Sequence, residues 1–181
     1  MSTSSPVESV AAPATSRASW TSLLTIAALC GVVPALWNLT LLEGLHRSAY
    51  LIVYFALSTG LSFGGGALVA AVRPRLRAAE IILLALMAGA AEAFIEAVVV
   101  QRITINGGHL VLGPEDYVAW AAVVLTFAAG GLFGLTRRMR GAAGANDLDV
   151  IRRRDMLMFA TKLMGVAGPL LSLYVTVKKG S

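Results

Sequence analysis

The sequence predicts an all-α fold: a polytopic transmembrane helix bundle of four or five spans, with a small outer β-hairpin loop. Three observations lead there. Only 14% of the residues are charged and 57% are hydrophobic, whereas soluble domains average about 25% charged. The apolar residues are gathered into runs near the ~20 residues that a helix needs to cross ~30 Å of hydrocarbon. The arginines cluster at the ends of those runs, where topology signals belong.

The elements follow in chain order. Residues 1–19, MSTSSPVESVAAPATSRAS, are polar and rich in Ser, Ala and Pro, the composition of a disordered tail. The stretch lacks the basic start and compact apolar core of a secretory signal. Four spans are then expected, over about Trp20–Leu42, Ala49–Val72, Ala79–Gln101 and Tyr117–Leu135. Together, residues 20–140 form a four-helix transmembrane bundle. Residues 141–181 supply a flexible linker, GAAGAN, and a fifth apolar segment, Met156–Val177. Asn146 or Asp147 suits the cap of that last helix. The segment is long enough to span, but Lys162 interrupts it and Pro169 removes a donor from its ladder. Proline is tolerated in membrane helices and lysine can snorkel. The alternative is an amphipathic or re-entrant helix on the cytoplasmic face.

Orientation comes from the positive-inside rule. Arg73, Arg75 and Arg77 fill the turn between the second and third spans. Arg137, Arg138 and Arg140 follow the fourth, and Arg152, Arg153 and Arg154 precede the fifth segment. All of these fall on one side if the N-terminus is cytoplasmic. The expectation is a multi-pass protein of a bacterial inner membrane. A net charge of +5 located in this way does not suggest nucleic acid, because no basic patch is interleaved with exposed aromatics.

The outer loop between spans three and four reads RITINGGHLVLGPED. Asn106-Gly107 lies between the β-prone runs Ile103–Ile105 and Leu110–Leu112, the pattern of a hairpin turn. Pro114, Glu115 and Asp116 suit the first turn of the next helix, the proline by its fixed φ and the acids by the helix dipole.

Chemistry concentrates in the third span. Glu92 and Glu96 lie one helical turn apart in a stretch that is otherwise lipid-compatible. A charge at mid-bilayer costs roughly 2.5–3.5 kcal/mol on insertion scales. Two carboxylates whose Cβ atoms start about 5–6 Å apart cannot easily both ionise there, and they titrate as a unit. Such a pair can hold protons as hydrogen-bonding glue, exchange protons or cations with one side, or bind a divalent metal. Counting 1.5 Å per residue places both in the outer half of the membrane. Ser58 and Thr59 fall near Glu92, Tyr54 and Asn38 near Glu96, Pro34 near Glu92, and Thr126 in the lower layer. Tyr50, Tyr54, Ser58 and Ser62 repeat every four residues, which makes one stripe. Asn38, Tyr54, Ser58, Glu92 and Glu96 are therefore the candidate ion- or substrate-binding residues.

Further charges gather at the outer end. Glu43 and His46 close the first span, Arg102 closes the third, and His109 sits in the hairpin. With Glu96 they make a candidate outer vestibule. Glu80 and Lys162 both fall near the cytoplasmic side and can pair if the fifth segment spans. Gly60 and Gly64, and Gly130 and Gly134, form GxxxG motifs that let membrane helices approach closely. They are read as contacts within the bundle, with a homo-oligomer face as the alternative. The lone cysteine, Cys30, excludes a disulfide framework and reads as a small buried apolar residue.

The reading of function follows these residues. A transport- or channel-type component handling a cation or proton through the Glu pair fits best. The alternatives are a structural or regulatory subunit of a membrane complex and a membrane-embedded metal-dependent enzyme. For the last, His46, His109, Glu43 and Glu96 are acceptable ligand types, but no local ligand spacing supports them. No cofactor is expected. The expected partners are the lipid bilayer and a second copy or other subunits.

Overall fold

The computed structural model describes residues 19–40, 47–73, 75–99, 103–104, 109–110, 114–142 and 148–179. They form five helices: α1 (Trp20–Thr40), α2 (Arg47–Val72), α3 (Ala78–Val99), α4 (Pro114–Ala142) and α5 (Leu148–Lys179). All five are long and apolar enough to cross a membrane, which makes this a multi-pass membrane architecture. The tail at 1–18 and the linker with Asn146 and Asp147 lie outside the described residues.

Local signals set the helix starts. Ser19 Oγ accepts the Thr21 N–H at 3.3 Å, an N-cap on α1. Arg77 N donates to Glu80 Oε2 at 2.7 Å, the acidic half of a capping box on α3. Glu80 thus serves its own helix terminus and not the pairing with Lys162 that the sequence suggested. Helix α4 opens on Pro114, where a missing N–H costs nothing.

Helix α4 is the hub. It packs along α2, α3 and α5, while α1 packs on α3 and more lightly on α2. The first four helices close a ring in the order α1–α3–α4–α2, with α2 and α3 almost diagonal. Leu23, Ala27, Ile81, Leu84, Val123 and Phe127 fill the centre at 0–1% exposure. Helix α5 runs outside the ring on α4. Of its spanning stretch 11% is buried, against 56% for α4. Pro169 lies inside α5 without ending it.

Glycines decide how closely the helices approach. A Cβ on Gly66 would strike Phe127 O, and one on Gly130 would strike Phe63 O, so α2 and α4 meet backbone to backbone. Gly31 holds α1 against Ala88 O and the Glu92 N of α3, and Gly168 holds α5 against Thr126. The GxxxG of α2 is a correction. Gly60 and Gly64 are exposed, with nothing within 4 Å of an added Cβ. The adjacent Gly65 and Gly66, about 100° and 200° round the helix from Gly64, make the packing instead.

The predicted outer β-hairpin is also corrected. What is described is a two-pair antiparallel ladder, Ile103 opposite Leu110 and Thr104 opposite His109. The sequence reading carried the strands on to Ile105 and Leu112, and residues 105–108 and 111–113 lie outside the described residues. The rest of the described fold is helical.

At one end Arg73 stacks over the Trp20 ring at 4.4 Å, a cation–π contact between the end of α2 and the start of α1. Arg138 of α4 donates to Ala71 O at 2.7 Å and to Arg73 O at 3.3 Å, closing the C-terminus of α2. The arginine clusters therefore gather at one end of the bundle, called the basic end below.

Candidate functional site

Glu92 is 1% exposed in the interior of the ring. The reason is rotational. Ile81, Leu84, Ala85 and Ala88 are all buried and lie on one face of α3 by their three- and four-residue spacing. Glu92 continues that face one turn beyond Ala88. The same face that packs the core therefore turns a carboxyl inward.

Its named partner comes from across the ring. Tyr54 Oη donates to Glu92 Oε1 at 3.5 Å, longer than the usual 2.7–2.8 Å for such a bond. Helices α2 and α3 touch only lightly, and the long side chains of Tyr54 and Glu92 bridge them here. Tyr54 is 3% exposed, and Ser58 and Ser62, at one and two further turns of α2, are 3% and 0% exposed. Tyr54, Ser58 and Ser62 therefore all face inward, and for Tyr50 the backbone alone is described. Counting along the helices placed Ser58 at the level of Glu92 and Tyr54 one turn beyond. The contact instead joins Tyr54 to Glu92, a shift of one turn.

Helix α1 forms the floor. Gly31 lies against the backbone of Glu92, and Pro34 is fully buried. Pro34 has no N–H, so the Cys30 carbonyl loses its helical donor. Cys30 Sγ donates to Leu61 O at 3.3 Å and fills the space beside Gly65, in keeping with its reading as a small buried group.

Thr126 does not join this layer. Its hydroxyl donates to Ala122 O at 2.7 Å and its side chain abuts Gly168, so it faces α5. Thr59 likewise donates to its own helix, at Phe55 O. Depth along an axis places a residue in a layer, but not on the inward face.

Two residues were missed. Gly31 carries the approach of α1 to Glu92, and its only sequence signal is a small residue three positions before Pro34 in an apolar run. Trp37 has a buried Nε1 with no hydrogen-bond acceptor among the described residues. Helices α1 and α3 are parallel neighbours, and with Gly31 against Ala88 and Glu92 this register puts Trp37 level with Glu96.

The remaining candidates are only partly covered. For Asn38, Glu96 and His109 the backbone alone is described. Glu43, His46 and Arg102 lie outside the described residues. Among the described residues no group of three or more His, Cys, Asp or Glu comes together.

No family model, no curated protein and no solved structure matches this chain.

Proposed function

We propose that this chain is a small transport- or channel-type membrane component. It handles a proton or another cation through Glu92 and Glu96, with Asn38, Tyr54 and Ser58 completing the binding residues. One observation carries the reading. A carboxyl at 1% exposure sits inside a ring of apolar helices, against a tyrosine hydroxyl. A bilayer-buried acid is expensive to keep and is by default a functional group. Tyr54 can donate to the ionised carboxylate and accept from the protonated acid, so the same contact serves both states.

In this proposal the basic end faces the cytoplasm of a bacterial inner membrane, with the N-terminus on that side. Residues 20–140 are the working bundle, and 141–181 add a helix that buttresses α4. Glu43, His46, Arg102 and His109 line the entry from the other side. Trp37 supplies a donor at the level of Glu96.

The test is flux in vesicles reconstituted with purified protein, under an imposed pH or cation gradient. Wild type conducts, while Glu92→Gln and Glu96→Gln fall to the protein-free background with the fold retained. Unchanged flux in both variants would sink the proposal.

A second reading, a subunit of a membrane complex, is favoured by one observation: Gly60 and Gly64 form an open face on α2. Gly64→Trp should then lower the native mass in a membrane mimetic while leaving the helix content unchanged. An unaltered mass would end that reading.

A further inference from the structure

We infer that the basic end holds a dedicated site for an anionic glycerophospholipid, seated between α4 and α5. The site is a cavity of about 370 Å³ lined by Arg137, Arg140 and Lys162, with Phe133 and Met158 as apolar walls and Thr136 and Thr161 between them. Among the described residues three cations line it and no carboxylate does.

The donors in this cavity are poorly used. The Arg140 guanidinium gives an N–H to the thioether of Met158 at 3.0 Å, a weak acceptor for a charged donor. The two threonine hydroxyls give their protons to helix carbonyls, Thr136 to Phe133 O and Thr161 to Leu157 O. Among the described residues the positive donors therefore come from Arg137, Arg140 and Lys162. Two planar guanidinium forks beside an ammonium suit the oxygens of a phosphodiester.

The antiparallel register explains why Lys162 reaches this cluster. Gly165 lies opposite Ala129 and Gly168 opposite Thr126, which brings Lys162 level with about Phe133. From there its stem runs towards the arginines, as a snorkelling lysine does.

The apolar surroundings identify the source of the phosphate. Phe133 is 45% exposed, and Phe159, Leu163, Val166 and Leu170 run along one outward face of α5, each about 60% exposed or more. Phe159 and Leu163 directly follow the lining residues Met158 and Lys162 in the chain, and the stripe leads on along the spanning part of α5. A headgroup in the cavity would thus have an acyl chain alongside. Basic pockets between membrane helices at this depth are suited to anionic headgroups. A second cavity, about 600 Å³ between α2 and α4, shares Phe133 and Arg137. There Arg138 is engaged by the carbonyls of α2, so the α4–α5 cavity is the one with cations to spare.

The experiment is native mass spectrometry of the full-length protein, titrated with phosphatidylglycerol or phosphatidylcholine. One phosphatidylglycerol should be retained per chain in preference to the neutral lipid. Lys162→Gln should weaken that retention about fivefold, and the triple variant R137Q/R140Q/K162Q roughly a hundredfold, at about one surface charge's worth per residue. Arg152→Gln with Arg153→Gln, exposed charges outside the cavity, should leave retention unchanged. Lys162 is exposed, so its single variant gives the answer even if the triple variant does not fold. Equal retention of both lipids, or an equal loss in the Arg152/Arg153 control, overturns the site. Displacement of the lipid by millimolar inorganic phosphate overturns the choice of a lipid over a free anion.

Discussion

In the core of the ring one carboxyl, Glu92, is closed off from solvent and meets a tyrosine hydroxyl that reaches across from the diagonal helix. At the basic end Arg137, Arg140 and Lys162 line an open cavity in which no carboxylate of the described residues faces them. Both regions place charge-bearing groups in a chain that is otherwise apolar. They differ in what must satisfy those groups. In hydrocarbon there is no water to do it, so every polar group needs a partner from the protein or must give up its charge. At the end of a span, water and lipid headgroups can supply the partner. The core site should therefore respond to changes in hydrogen bonding and shape, and the basic end to changes in charge and salt.

The largest expected effect lies in the packing that holds the core site. Gly31→Val would drive a side chain into Ala88 O and the Glu92 backbone. Overpacking of this kind costs about 1–3 kcal/mol, with α1 displaced from α3. Thermal unfolding in detergent should show it, together with loss of flux. An unchanged melting temperature would mean that α1 does not rest on Glu92. Gly60→Ala on the open face of α2 is the matching control. With nothing within 4 Å, it should be neutral or gain up to about 1 kcal/mol from helix propensity.

Next comes the hydroxyl that faces Glu92. Tyr54→Phe removes a long hydrogen bond, and such bonds in membrane bundles average about 0.6 kcal/mol. The stability change should be of that size, whereas the flux should fall far more. Equal, small effects on both would reduce Tyr54 to a packing residue.

The smallest effect on the fold belongs to the basic end. Lys162→Gln should alter stability by no more than about 0.5 kcal/mol. Lipid retention should weaken as sodium chloride rises from about 0.1 M to 1 M, over which the screening length falls from about 10 Å to 3 Å. Flux through the core site should keep its dependence on Glu92 at both salt concentrations. A salt-insensitive retention would point to acyl contacts alone.

The elements were legible because hydropathy reports the lipid slab directly. Each apolar run became a helix, and the starts of α1, α2 and α3 fall within two residues of the runs. Hydropathy alone did not mark the end of α4 or the start of α5. Helix α4 continues from Leu135 to Ala142, and α5 begins at Leu148, ahead of the apolar run at Met156 but directly after the cap position offered by Asn146 or Asp147. Outside the slab a helix keeps its backbone hydrogen bonds with polar side chains, as Arg137–Arg140 and Arg152–Asp155 do.

The site was legible in part. A four-residue repeat fixes both depth and face, so Tyr54, Ser58 and Ser62 were found together on the inward side of α2. A single polar residue fixes depth alone. Thr126 was placed in the layer by counting, yet it turns to α5. The glycines teach the same lesson. Gly60 and Gly64 match a motif, but the packed face is set by Gly65, Gly66 and their partners on α4, which a one-helix pattern does not contain.

The central claim is that Glu92 is a proton- or cation-binding group and not only a hydrogen-bonded member of the core. The most direct test compares wild type with Glu92→Gln in sealed vesicles under an imposed pH gradient, with equal amounts of folded protein verified by circular dichroism. Gln keeps the shape and much of the hydrogen bonding but cannot ionise. Wild type should dissipate the gradient, and the variant should do so no faster than the protein-free background. The same rate from both would contradict it.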